Sequence, residues 1–335
     1  MARMTKFIAY GVFLALVVLQ AQALWAQTAN IEAAKKEAEV LFYVSTRAED
    51  ANQLSAAFMK KYPFIKASYY RAGSDPLFQR IITESRANQH LFDVVSIKGP
   101  IIISLKDRRM LAPYKSAHQS AYGRGFFDPD GYWTDTYDLY YTIAYNTKMV
   151  PAGSAPRRWQ DLLSPQWADG KICMDPRLND WYAGMIEALG PTEGPAFMDR
   201  LRKQKPVFRE GHSLIGQLLG AGEFPLAITY AHTTEQLKSR GAPIDWVAID
   251  PMPAISQPIA LSARAPHPNA GKLFIDFILS AEGASLLKQQ QRIPARLDAE
   301  PVSERLNPRK LKLHPVNISI EKLDPTGFRK FFGLD

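Results

Sequence analysis

A single cysteine, Cys173, stands in 335 residues, so no disulfide can form within the chain. It lies in the apolar run Lys171-Ile-Cys-Met174, which reads as a buried strand, and a structural thiol is the expected role. Histidine is also scarce, six residues scattered without the spacing of a metal pair. No Walker loop, dinucleotide fingerprint or zinc pair occurs. Gly211-His-Ser-Leu-Ile-Gly216 has the flavour of a nucleophile elbow but lacks the second glycine at the required spacing. A secreted hydrolase, the reading from another functional class, is therefore disfavoured, and no catalytic residue, metal or cofactor is expected. Internal repeats and low-complexity tracts are absent. The one long apolar run, Phe7 to Leu19, falls short of an obvious membrane span, which takes about 20 residues.

What is present begins with Arg3 and Lys6, that apolar run, and then the small-residue sites Ala21-Gln-Ala23 and Leu24-Trp-Ala26. Charged start, apolar core and small-residue end read as a secretory signal peptide over residues 1–26, cleaved near Ala23 or Ala26, with no cysteine there to take a lipid. The expected location is periplasmic. Lysine and arginine number 41 against 33 acids, a net charge of +8 that falls to +6 once Arg3 and Lys6 are removed. The cations are dispersed, with only short clusters such as Arg157-Arg158 and Arg309-Lys310-Leu-Lys312, which suits solvated faces rather than a nucleic-acid partner. The mature length exceeds what one core usually supports, so two lobes are expected.

Along the chain, strands alternate with helices. Strands are predicted at Val40–Val44, Ile65–Tyr70 and Phe92–Val95, with helices over Asn30–Glu39, Ala48–Tyr62 and Asp75–Asn88 between and around them. This alternation implies a parallel sheet covered on both faces. Tyr137 to Asn146 reads as a long aromatic strand crossing between lobes. The style then repeats: helix Trp159–Leu163, strand Lys171–Met174, helices Trp181–Leu189, Pro195–Lys203 and Ser213–Gly220, and strands Pro225–Tyr230 and Ile244–Ala248. Pro251, Pro253 and Pro258 mark a return crossing through a stretch unsuited to central strands. In His267-Pro-Asn-Ala-Gly-Lys-Leu-Phe-Ile-Asp-Phe-Ile-Leu-Ser280, Asn269 is a candidate N-cap. Ala270, Leu273, Phe274, Phe277 and Ile278 share one helical face. Ser280 is expected to cap a second helix with Glu282 in its first turn. The segment from Leu297 onward is less periodic and is expected to wrap the outside of a lobe.

This His267–Leu287 segment closely resembles one found in bacterial extracellular solute-binding proteins, the receptors that deliver ligands to ATP-driven importers. Further pieces in the same order support the resemblance: Ser45-Thr-Arg-Ala-Glu49, Arg71-Ala-Gly-Ser74, Phe92-Asp-Val-Val-Ser96, Asp128-Pro-Asp-Gly-Tyr-Trp133, Ala144-Tyr-Asn146, Trp159-Gln-Asp-Leu-Leu-Ser-Pro165 and Ile293-Pro-Ala-Arg296. The branch it is similar to includes ferric-ion, phosphonate and sugar-phosphate binding proteins. The resemblance implies an α/β, two-lobed, type II periplasmic-binding-protein-like fold that closes on ligand in a cleft. On this reading residues 27–137 with 253–296 form one lobe, and 138–252 with 297–335 the other. It also implies membrane permease subunits of an ABC importer as partners, and a monomer.

In ferric-binding relatives a histidine, a glutamate and two adjacent tyrosines hold the metal. The resemblance puts Arg47, Lys98 and the pair Tyr230-Ala231 at those positions. Two cations suit a carboxylate, phosphonate or phosphate ester better than bare iron. Ferric iron with a synergistic anion and other tyrosines, such as Tyr140, Tyr141 or Tyr182, is the alternative. The expected ligand-binding residues are therefore Ser45, Thr46, Arg47, Arg71, Ser74, Ser96 and Lys98 from the first half, and Tyr140, Arg177, Trp181, Ser213 and Tyr230 from the second. Most follow predicted strands or open helices, where free backbone N–H groups favour anions. His232 lies two residues after Tyr230, and a structural role is expected of it.

Overall fold

The computed structural model describes residues 30–316 and 325–334; the expected signal peptide lies outside the described residues. Among the described residues no helix is long and apolar enough to cross a membrane. The first part of the chain runs α1 (Ile31–Glu37), β1 (Glu39–Val44), α2 (Ala48–Lys61), β2 (Lys66–Arg71), α3 (Ser74–Arg86), β3 (Val94–Ser96), α4 (Gly99–Asp107) and β4 (Leu111–Ala112). β1 pairs with both β2 and β3 in parallel, so the C-terminal ends of all three strands emerge on one side and feed α2, α3 and α4. These are the alternating units that the sequence predicts.

β5 (Thr134–Asn146) is buried along all thirteen residues and belongs to two sheets. Its first half pairs antiparallel with a later strand from Thr134 to Tyr140, and its second half with others from Tyr141 onward. After it come β6 (Ile172–Met174), α5 (Asn179–Lys203), β7 (Val207–Phe208), α6 (His212–Ala221), β8 (Leu226–Tyr230), α7 (Ala231–Ser239) and β9 (Ile244–Trp246). The chain returns through β10 (Met252–Ser262), then α8 (Pro268–Leu279), α9 (Ala281–Gln289), β11 (Ile293–Pro294), β12 (Leu313–Pro315) and α10 (Pro325–Phe332). The strand order is β2-β1-β3-β10-β5-β8-β6-β7, with β4 and β12 on β10 and β9 and β11 on β5. The result is a two-lobed α/β molecule, its halves joined through β5.

Two expectations need correction. The proline-marked stretch is a central strand, since β10 pairs with β3 on one side and β5 on the other. Both prolines sit where a missing N–H costs little: Pro253 near the strand start, and Pro258 at a bulge where the register with β5 shifts. Asn269 is not an N-cap. His267 is, and the helix end is instead closed from α1, because the Glu37 carboxylate accepts from Asn269 N, Asn269 Nδ2 and Ala270 N at 3.2, 2.6 and 2.7 Å. The predicted helices Trp181–Leu189 and Pro195–Lys203 both form within α5, separated at Gly190, whose non-helical φ of 86° and ψ of 171° break the helix just before Pro191. The helices α4 and α7 carry no signal in the sequence reading; both are short.

The predicted apolar face of α8 is buried throughout. Phe274 packs on Phe42 of β1 and Phe58 of α2 at ring separations of 5.0 and 4.9 Å, and Phe277 lies 5.6 Å from Phe58. Each such ring contributes on the order of 1.5–3 kcal/mol by leaving water. Ser280 caps α9 by accepting from Gly283 N at 3.2 Å, as the sequence predicts.

Candidate functional site

Where β1, β2 and β3 end, and where β6 and β8 end facing them, lies a cavity of about 490 Å³. Six helices present their N-termini to it: α2 through Arg47, α3 through Gly73, α4 through Lys98, α5 through Asn179 and Asp180, α6 through Gly211 and α7 through Tyr230. None of these six N-caps makes a side-chain capping bond. Three helices that begin elsewhere are closed, α1 by Asn30, α8 by Glu37 and α9 by Ser280. Uncapped first turns leave N–H groups and the positive ends of six helix dipoles at one cavity.

Of the residues singled out from sequence, Ser45, Thr46, Arg47, Arg71, Ser74, Lys98, Arg177, Ser213 and Tyr230 line this cavity. Ser96, Tyr140 and Trp181 do not. Ser96 is buried in β3, where its carbonyl accepts from Ser45 N at 3.1 Å. Tyr140 is fully buried on the other side of β5, while its neighbours Tyr137 and Leu139 line the cavity. The period of two in a strand separates them, but sequence does not say which face is which. Trp181 packs 5.5 Å from Trp159 in the core, and the preceding residue, Asp180, faces the cavity instead.

The charged groups form linked sets. Lys98 Nζ bonds Asp180 Oδ2 at 2.6 Å across the cavity, from the start of α4 to the start of α5. Asp180 Oδ1 accepts from Tyr141 Oη at 2.9 Å, and the Tyr141 and Tyr230 hydroxyls are 3.1 Å apart. Burial pulls the Lys98 ammonium toward its neutral form, but Asp180 and Tyr230 outweigh it and hold the lysine charged well above the usual range. Burial raises the Tyr230 phenol even though Lys98 beside it opposes the shift.

On the other side Asp50 is shared by two arginines. Arg47 reaches it at 3.1 and 2.9 Å, and the buried Arg292 at 3.2 and 2.5 Å. Arg292 also donates to Thr46 Oγ1 at 3.0 Å and lies 3.2 Å from His232 Nε2. Arg71 donates through Nε to the Thr46 carbonyl at 3.0 Å, and among the described residues no carboxylate pairs with it. Arg177 contacts Asp175 at 3.3 Å and Glu210 at 2.9 Å. Asp175 stays below the usual carboxylate range: burial works against this, but His212, the Gly211 N–H at 2.6 Å and Arg177 prevail.

His212, Tyr230 and His232 lie in a row, with ring separations of 3.9 and 5.5 Å. Burial lowers the His212 pKa to about 4 and holds His232 well below its usual value, the latter with help from Arg292. Arg292, Asp180 and the two histidines were missed as site residues in the sequence. Asp180 carried one signal, an acid in the first turn of a helix. Arg292 carried none, because it reaches the cavity from the segment after α9.

The profile of the family described as "Bacterial extracellular solute-binding protein" matches residues 90–317. The chain belongs to that family. Solved solute-binding structures share the fold of this member. Iron-bound HitA from Pseudomonas aeruginosa is 19% identical with a TM-score of 0.74, over 88% of this chain and 98% of that one. The periplasmic binding protein AfuA from Actinobacillus pleuropneumoniae, with exogenous fructose-6-phosphate bound, is 23% identical with a TM-score of 0.73, over 88% and 96%. The substrate binding protein of an ABC transporter from Agrobacterium tumefaciens is 14% identical with a TM-score of 0.75, over 88% and 95%. No curated protein matches the sequence closely enough to count as a relative.

Proposed function

We propose that this solute-binding protein is the periplasmic receptor of an ABC importer and captures a small anionic organic solute, a carboxylate, phosphonate or phosphate ester, without altering it. The observation that carries the reading is the convergence of six uncapped helix N-termini on a cavity lined by five cationic side chains and three carboxylates. An anion there meets oriented N–H donors that need no reorganisation, and guanidinium groups that match oxyanion geometry. Arg71, with no carboxylate of its own, and Ser74 at the start of α3 would take the acidic head, with Arg47 and Arg292 beside them. The Tyr230 and His212 rings would cover the remainder. Residues 27–137 with 253–296 and residues 138–252 with 297–335 would be the lobes that close on it, and permease subunits would receive it from a monomer. AfuA, with its bound sugar phosphate, is a precedent for such a ligand on this fold.

The second reading is ferric iron held with a synergistic anion, favoured by the Tyr141 and Tyr230 hydroxyls 3.1 Å apart beside Asp180. Against it, the Lys98 ammonium already sits on Asp180, and a bare metal ion there would be repelled. Calorimetry separates the two readings, with a panel of carboxylates, phosphonates and sugar phosphates beside ferric iron with and without carbonate. The expected result is saturable one-to-one binding of an organic anion, weakened at least about tenfold by Arg71→Ala or Arg47→Ala through loss of a charged hydrogen bond of roughly 1.5–3 kcal/mol. Tight iron binding with no organic anion bound, or turnover of any panel member, overturns the proposal.

A further inference from the structure

At the end of the first sheet opposite the cleft, where β3 begins and β10 ends, lies a second cavity of about 260 Å³. Ile81 and Phe92 are part of its apolar floor. Arg108, Arg109, Arg264 and His90 line it together with uncharged polar groups, and no carboxylate does. Among the described residues, neither Arg109 nor Arg264 pairs with a carboxylate. Arg264 Nη1 lies 3.3 Å from Asn88 Oδ1 and 3.0 Å from His90 Nε2, which fixes that side of the guanidinium and leaves its other N–H groups available.

The ordinary role for arginines after a helix is to satisfy its last carbonyls. Here the backbone does that work. At the end of α3, Asn88 N donates to Ser85 O at 3.0 Å and Gln89 N to Glu84 O at 2.8 Å. At the end of α4, Arg109 N donates to Lys106 O at 2.8 Å and Met110 N to Leu105 O at 2.9 Å. Asn88 and Arg109 adopt the left-handed φ values, 54° and 57°, that such closures require. Arg109 therefore follows a helix end already closed by backbone bonds, and with Arg264, from the turn after β10, it lines one cavity beside His90 of the α3 end.

We propose that this cavity is a second oxyanion site, independent of the cleft, that takes a phosphate group, either free or as the head of an anionic phospholipid. Planar guanidinium forks match tetrahedral oxyanions, and those of Arg109 and Arg264 with the His90 imidazole suit a phosphate better than a single carboxylate. The exposed position makes binding weak and salt-sensitive.

The test titrates the exported full chain with inorganic phosphate and reads each backbone amide by NMR. In parallel, co-sedimentation with phosphatidylglycerol vesicles is compared with phosphatidylcholine vesicles at low salt. The expected result is saturable shifts at Asn88, Gln89, Arg109 and Ala263, with affinity reduced at least about tenfold in the Arg109→Gly, Arg264→Gln double variant. Glycine tolerates the left-handed φ at 109, so that variant keeps the helix closure. Phosphate shifts together with phosphatidylglycerol binding that the double variant abolishes point to a lipid head as the source; phosphate shifts without vesicle binding point to a free anion. Shifts confined to cleft amides such as Ser74 and Ser213 overturn the outer site while leaving the cleft reading intact. Silence at the four amides up to tens of millimolar phosphate, or binding undiminished in the double variant, also overturns it.

Discussion

Arg47, Asp50 and Arg292 show how single residues at the cavity serve two purposes. The carboxylate buried between two arginines fixes both guanidiniums, and it also neutralises part of the charge that would attract a solute. Arg71 lacks such a partner and keeps its charge for the cavity. The histidines add a pH dependence. His212, lowered to about 4 by burial, and His232, held well below its usual value by burial and Arg292, stay neutral in the folded protein. In the unfolded chain each takes a proton below its ordinary pKa of about 6.5. The unfolded state therefore binds more protons as pH falls from about 6.5 toward 4, and stability declines by up to about 1.4 kcal/mol per pH unit for each histidine. Melting temperatures at steps between pH 7.5 and 4.5 should show this decline, and His232→Gln should flatten it. An equal slope in that variant would show that His232 is not the cause.

At the scale of elements, capping separates helices that hold the fold together from those that face the cavity. The start of α8 is held by Glu37 from α1, so Glu37→Ala should expose two first-turn N–H groups and lower stability by about 1–2 kcal/mol in urea unfolding, with Glu37→Gln intermediate. The corner between α8 and α9 is tighter still. A Cβ at Gly283 would lie 2.2 Å from the Ile278 carbonyl oxygen, a backbone atom that cannot swing aside, so Gly283→Ala should cost more than the loss of the Ser280 cap in Ser280→Ala. Much of this level was legible beforehand. The strand and helix alternation through Ser96, the buried face of α8 and the Ser280 cap all follow from local periodicity and capping chemistry. The exceptions share a cause: β10 reads as a breaker because proline's missing N–H is harmless only at a bulge or strand start, and such places depend on a distant partner strand.

For the molecule as a whole, the bond from Lys98 to Asp180 joins the starts of two helices that lie 82 residues apart in the chain. Asp180→Asn keeps an acceptor for Tyr141 and removes the charge. Without added solute, the variant should show a larger radius of gyration by small-angle X-ray scattering than the wild type, and a saturating ligand should restore a compact form. An unchanged radius would show that this pair does not hold the halves together. The amino-acid sequence by itself determined the local units, the burial of Cys173, and the placement after strands of the residues that reach the cavity, because periodicity and helix entry are set by neighbours a few residues apart. Which of Tyr140 and Tyr141 turns inward, that Asp180 rather than Trp181 meets Lys98, and that Arg292 arrives beside Arg47 were decided only by tertiary structure. Those pairings depend on the rotation and register of elements far apart in the chain, and no local energy fixes them.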